Sequence, residues 1–267
     1  MNTILVQLTD THVCQRGAVL YGRIDTGAML HSAVTSVLEL RQKPDAVVVT
    51  GDLVDVASPA EYAQVEKLLA PLDMPVYLMP GNHDERDQMR KGFPSHVYLG
   101  SGEFIQYTVK IGNLRLITLD TLVPGQPHGE LCDTRMAWLA QQLEACRDET
   151  VILAMHHPPF QTLIGHMDNM GLIRGGPELE KLVSSYPNVA RIICGHLHRA
   201  IDVRFGGTIA STSPSTAHQV APDFGADAPA MWNFEPAGFR IHACTDAGQV
   251  VTHLVHSGEY PGPYPFE

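Results

Sequence analysis

The sequence predicts an α/β layered fold, and three observations carry that expectation. Six short apolar runs, rich in Val, Ile and Leu, are spread over residues 4–194. Segments with helical periodicity and their own start signals lie between several of them. The runs are nearly continuous rather than alternating, as strands are when a sheet is covered on both faces. Alternation of such strands with helices implies helices layered on sheets.

In chain order, the first strand is expected at Ile4–Leu8, and "TDTH" follows it, bringing Asp10 and His12. A helix is expected over Thr26–Gln42, with Met29, Ala33, Val34, Val37 and Leu38 at helical spacing and Pro44 marking its exit. The second strand, Ala46–Thr50, runs into "GDLVD" and Asp52. Ser58 at the N-cap, Pro59 at N1 and Glu61 at N3 form a capping box that opens a helix ending near Leu69. The third strand, Val76–Met79, leads to "GNHD", hence Asn82 and His83. The fourth, Leu114–Leu119, ends at Asp120, the weakest of these acids as a candidate. Asp133 begins a helix with Met136, Leu139 and Leu143 on one face. The fifth strand, Val151–Met155, is followed by His156 and His157. A helix starts at Pro177 and stops before Pro187. The sixth strand, Arg191–Cys194, leads into "GHLH", giving His196 and His198.

Beyond Phe205 the texture turns to Gly, Pro, Ser and Ala. Two more strands are expected there, Gly238–Cys244 and Gln249–His256, before the extended tail "GEYPGPYPFE". The organisation expected is a catalytic domain over residues 1–204 and an extension over 205–267. The extension forms a cap and an oligomer contact rather than an independent unit.

Composition narrows the function. Eighteen Lys and Arg against 29 Asp and Glu give a net charge of −11. That field disfavours nucleic-acid polymers and anionic membranes as partners, and it obliges any phosphate substrate to find a local positive centre. The opening residues lack a basic segment before an apolar run, and the five cysteines are odd in number and widely spaced. Both features lead to the expectation of a reduced, cytoplasmic protein.

The strand ends carry the chemistry. In open α/β sheets the carboxyl ends of parallel strands share one edge, where ligands bind. A single D-x-H there is commonplace. Five strands delivering metal-type side chains in the same register are not. Asp10, His12, Asp52, Asn82, His156, His196 and His198 are too many for one tetrahedral zinc. With Asp52 bridging, they supply four ligands to each of two metals. Nitrogen and oxygen donors without a thiolate suit two divalent or trivalent transition-metal ions, Fe, Mn, Zn or Co. Cys194, inside its strand, is read as core. Gly51, Gly81 and Gly195 each precede a ligand, where tight turns or close backbone approach are needed.

The ordered strings "DTH", "GDLVD", "GNHD", "HH" and "GHLH" resemble the motifs of the calcineurin-like metallophosphoesterases. With "RGAVLYGRID" and "SPSTAHQV" they are closer still to the bacterial cyclic-nucleotide and glycerophosphodiester phosphodiesterases. The resemblance implies a four-layer α/β/β/α sandwich with a two-metal site on its edge. It implies one metal on Asp10, His12, Asp52 and His198, and the other on Asp52, Asn82, His156 and His196. It also implies that His83 is a catalytic residue beside the scissile phosphate rather than a ligand. Asp84 stands where some relatives have Glu, which bears on the support of His83, and His157 is expected to point away.

The expected reaction is in-line attack of a metal-bound hydroxide on phosphorus, with His83 stabilising phosphoryl charge or protonating the leaving alkoxide. Val56 stands where Ser/Thr phosphatases of the superfamily have an arginine, which favours a singly charged diester over a monoester dianion. His83, Arg16 and His218 are the candidate substrate contacts, and Tyr21, Phe160 or Trp232 would serve as a base stacker. The expected substrate is a small phosphodiester, either a glycerophosphodiester or a 3′,5′-cyclic nucleotide, and the expected assembly is a homo-oligomer. The competing readings are a metal-free protein-binding scaffold of the same fold and a nuclease.

Overall fold

The computed structural model describes residues 2–266; Met1 and Glu267, the outermost residues of the two expected segments, lie outside them. The main elements in chain order are β1 (Thr3–Leu8), α1 (Thr26–Leu38), β2 (Ala46–Thr50), α2 (Pro59–Leu69), β3 (Val76–Met79), α3 (Arg86–Gly92), β4 (Tyr107–Ile111) and β5 (Leu114–Leu119). There follow α4 (Asp133–Ala145), β6 (Thr150–Met155), α5 (Gly165–Asp168), α6 (Gly176–Val183), β7 (Val189–Cys194), β8 (Ile201–Phe205), β9 (Thr208–Thr212), β10 (Gly238–Cys244) and β11 (Val250–His256). One sheet has the order β11-β10-β1-β2-β3, the other β8-β9-β7-β6-β5-β4. Strands β1, β2 and β3 are parallel to one another, as are β5, β6, β7 and β9.

The continuous apolar runs have a simple cause: alternate residues of each inner strand face different cores. In β1, Leu5 faces the opposite sheet while Val6 and Leu8 face helices; in β2, Ala46 and Val48 divide from Val47 and Val49 in the same way. Leu5, Val48 and Met79 meet Leu116, Ile152 and Ile193 between the sheets. Val6, Val47 and Val49 share an outer core with Leu30, Val34, Tyr62 and Val65. Leu153, Met155 and Ile192 pack with Leu139, Leu143, Leu179 and Val183 on the far side. The result is the four-layer α/β/β/α sandwich.

The expected strands match within two residues at either end, and the capping box forms: the Glu61 amide donates to Ser58 Oγ at 3.3 Å, and the Ser58 amide to Glu61 Oε2 at 3.0 Å. Helix α1 stops at Leu38 rather than Gln42, where the Lys43 ammonium takes the Leu38 carbonyl at 2.6 Å. Strand β4 escapes the apolar-run criterion because Thr108, Val109 and Lys110 are partly or fully exposed at a sheet edge. Helix α3 buries only Met89.

The expected division at residue 205 does not follow a break in the fold. Strand β9 is parallel to β7, with Ala210 opposite Ile192. Strand β10 is antiparallel to β1, with Arg240 opposite Gln7. The segment after 205 therefore completes both sheets, covering edges that would otherwise be left open.

Asp120 is used for structure. It is fully buried, takes a two-point contact from Arg86 at 2.7 and 2.9 Å, and accepts from the amides of Ile105 and Leu122. Arg86→Ala leaves that carboxylate without its cation, and we expect it to cost about 3 kcal/mol. A urea midpoint unchanged from wild type would contradict this.

Candidate metal centre

The loops after β1, β2 and β7 hold each other. The Asp10 amide donates to the Gly51 carbonyl at 3.1 Å and the His12 amide to the Asp52 carbonyl at 3.0 Å. The His196 amide donates to both carboxylate oxygens of Asp10 at 2.9 Å. Asp10, His12, Asp52, His196 and His198 all have positive φ, between 41° and 70°. Such backbone is uncommon for non-glycine residues and persists only where its surroundings enforce it. At Gly51, φ is +92° and a Cβ would lie 2.5 Å from His156 Nδ1, so glycine alone fits.

The structure brings all seven candidate ligands to one place. His12 Nε2 lies 3.1 Å from His198 Nε2 and 3.6 Å from Asp52 Oδ2. His198 Nε2 is 3.4 Å from Asp10 Oδ1. His156 Nε2 is 3.3 Å from Asp52 Oδ2 and 3.1 Å from Asn82 Oδ1, and His196 Nδ1 is 3.0 Å from the same amide oxygen. Asp52 therefore stands between two sets of donors.

The tautomers test whether a cation belongs there. His156 Nδ1 donates outward to the Thr50 carbonyl at 2.8 Å, and His198 Nδ1 to the His218 carbonyl at 3.0 Å. Their inner Nε2 atoms then carry lone pairs in the neutral ring. In that form they face carboxylate and amide oxygens, acceptor against acceptor, so that a proton or a cation must stand between them. His12 Nδ1 and His196 Nε2 are buried without a hydrogen-bond partner. A cation resolves this arrangement, and the N/O donor set suits a transition metal.

Electrostatics in the metal-free protein agree. Burial pushes the Asp10 carboxyl up, but His198 and His156 outweigh it and hold it at about 2. Asp52, also opposed by burial, is held well below the carboxylate range by His156 and His83. Burial depresses His156, yet Asp52 and Asp10 raise it to about 9. Burial, with His156 nearby, brings His196 down to about 3.

His83 lies at the rim. Its amide donates to Asp52 Oδ1 at 2.8 Å, and its Nδ1 donates to the Asp55 carbonyl at 2.8 Å, with the Asp55 carboxylate at 3.7 Å. Burial lowers its pKa, but Asp52 and the Asp55 groups outweigh that and raise it. Asp84 supports the loop rather than the His83 ring, accepting from the Gly81 and Leu53 amides and the Tyr62 hydroxyl. His157, expected to point away, instead offers a ring nitrogen within 4.8 Å of nitrogens of His156 and His196, but both its nitrogens are engaged, with Thr121 Oγ1 at 2.8 Å and the Pro127 carbonyl at 3.2 Å.

Above these groups is a hollow of about 180 Å³ whose wall includes Tyr21, Asn82, His83, His218, Met167 and Met170. His218 is thus brought to the site. Arg16 is not: it lies exposed on a separate hollow with Gln15, Asp25 and His31. Phe160 packs against the core of the second sheet rather than lining this hollow. Sequence reasoning missed Asp55 as the partner of His83, although it is the second acid of "GDLVD". It also missed Met167 and Met170, on and just after α5, a segment that carries no motif.

A model of the calcineurin-like phosphoesterase family matches residues 4–200. The chain is 32% identical over 270 residues to the glycerophosphodiester phosphodiesterase GpdQ of Enterobacter lignolyticus (strain SCF1), covering 99% of this chain and 95% of that one. It is 31% identical over 222 residues to the 3′,5′-cyclic adenosine monophosphate phosphodiesterase CpdA of Pseudomonas aeruginosa, covering 83% and 79%. Among solved structures, a dimetal phosphatase from Danio rerio superposes with a TM-score of 0.65 at 14% identity, covering 96% of this chain and 99% of that one, a likeness of fold.

Proposed function

Because the chain belongs to the calcineurin-like phosphoesterase family, we propose that it hydrolyses glycerophosphodiesters or 3′,5′-cyclic nucleotides at a pair of transition-metal ions. It is an enzyme, a phosphodiesterase. One observation carries the metal reading: inward-facing acceptor atoms converge while their compensating N–H groups are turned outward. Asp10, His12, Asp52 and His198 would hold one ion, and Asp52, Asn82, His156 and His196 the other. Fe, Mn, Zn or Co would supply Lewis acidity toward a phosphoryl oxygen and toward water in the hollow.

The residues do the rest. His83 has its Nδ1 proton committed to the Asp55 carbonyl, so a second proton goes to Nε2, where it can be donated to a phosphoryl or leaving-group oxygen. His218 borders the same space from the 213–220 segment. No Arg or Lys lines the hollow among the described residues, which suits a monoanionic diester better than a dianionic monoester. The net charge of −11 keeps long polyanions away.

The decisive experiment compares cyclic AMP, glycerophosphocholine and bis-p-nitrophenyl phosphate, each with Mn, Co and Zn added separately. At least one small diester should be turned over. Chelation should abolish turnover, readdition should restore it, and elemental analysis should give two ions per active chain. Full activity in metal-stripped protein, or with a single ion bound, would overturn the reading.

We also assign the protein to the cytoplasm, as a homo-oligomer. No described helix is long and apolar enough to cross a membrane, and all five cysteines are free. Strand β11 forms one edge of its sheet, with Val251 and Leu254 exposed. Light scattering on the full chain tests the assembly.

A further inference from the structure

The hollow has two unlike halves. One is made of the candidate ligands and His83, the other of Tyr21, Met167, Met170 and Val220, with His218 between them. Phosphate chemistry accounts for the first half and leaves the second unexplained.

Tyr21 is unusual in three ways. Its φ is +50°, a conformation an aromatic residue rarely adopts. A tight turn enforces it: the Leu20 amide donates to the Ile24 carbonyl at 2.8 Å, and the Ile24 amide returns the bond at 2.9 Å. The side chain is 60% exposed, yet its ring is held in place. It stacks on Trp232 with centroids 5.8 Å apart and an interplanar angle of 24°, and it meets His218 edge-on at 5.7 Å.

Trp232 is itself anchored. It packs edge-on against His218 at 5.8 Å and Phe234 at 5.2 Å. Its backbone pairs with Val220, whose carbonyl accepts from Arg199 Nη1 at 2.8 Å. Arg199 also binds Glu235 at 2.6 Å and directly follows His198. The aromatic pair is thereby fixed relative to the ligand turn. Trp232 lies against one face of Tyr21, and Tyr21 itself lines the hollow.

We propose that Tyr21, backed by Trp232, is the platform on which a flat ring of the diester's organic substituent stacks, so that ring-bearing diesters such as cyclic nucleotides are preferred over aliphatic ones. This rests on the phosphodiesterase reading above. A separation of 5.8 Å leaves no slot between the two rings, so the substrate ring adds to the free face of Tyr21. Met167 and Met170, unbranched and polarisable, suit the remaining wall. Stacking supplies affinity for the substituent in ground state and transition state alike, so its loss acts mainly on KM.

The test is the ratio of kcat/KM for cyclic AMP to that for glycerophosphoethanolamine in wild type, Tyr21→Ala, Tyr21→Phe and Trp232→Ala. In Tyr21→Ala the ratio should fall about tenfold or more, chiefly through KM for the nucleotide. Tyr21→Phe keeps a stacking face and should restore most of it; Trp232→Ala should lower it less. An unchanged ratio in folded Tyr21→Ala, equal losses on both substrates, or a Tyr21→Phe value as low as that of Ala overturns the stacking role while leaving the phosphodiesterase reading intact. If wild type hydrolyses neither compound, the substrate reading fails first and this one with it.

Discussion

Replacing Asp52 with Ala is expected to lower turnover of any small diester by about 10³-fold or more, whatever metal is added. The size follows from position. Asp52 Oδ2 faces His156 Nε2 at 3.3 Å and His12 Nε2 at 3.6 Å, so one carboxylate serves both donor sets. Its other oxygen accepts the His83 amide at 2.8 Å, which ties the loop after β3 to the same residue. Lewis-acid assistance is worth several kcal/mol, and each 1.36 kcal/mol is a factor of ten in rate. Asp52→Asn keeps the shape and the hydrogen bond to His83 while removing the charge, and it should lose metal and activity nearly as fully. Metal content and circular dichroism recorded beside turnover separate loss of the centre from loss of the fold. Wild-type rates in folded Asp52→Asn would remove the bridging role.

His83→Ala should behave differently. His83 lies at the rim, with its side chain 35% exposed and its Nδ1 on the Asp55 carbonyl. Metal content should stay at the wild-type level while kcat falls about 10²- to 10³-fold. The loss should be smaller for diesters with a good leaving group such as p-nitrophenolate, which needs no proton. Equal losses on p-nitrophenyl and alkyl diesters would restrict His83 to stabilising the phosphoryl oxygens. A parallel loss of metal would make it part of the centre itself.

Much of this was legible in the sequence because the physics behind it is local. The apolar runs announced the strands, since each inner strand feeds two cores and has no side to leave polar. Ser58, Pro59 and Glu61 announced a helix start through contacts spanning three residues. The candidate ligands were legible because each directly follows a strand end, and parallel topology does the gathering. What remained hidden depended on distant partners. Asp120 looks like another strand-end acid until Arg86 and Arg135 converge on its loop from elsewhere in the chain. Arg16 follows the first motif closely, yet the turn after His12 carries it to another surface. Strand β9, "TIAST", is too small and polar to stand out from the Ser/Thr-rich text around it. Only its pairing with β7 defines it.

Strand β1 lies between β2, which follows it early, and β10, where Arg240 stands opposite Gln7 from far along the chain. The first strand therefore lacks one neighbour until residues 238–244 join the sheet. Contacts between opposite ends of a chain form late and slow maturation. Asp10 and His12 directly follow that same strand, so the first motif of the candidate centre is seated on a strand whose second neighbour comes from far along the chain.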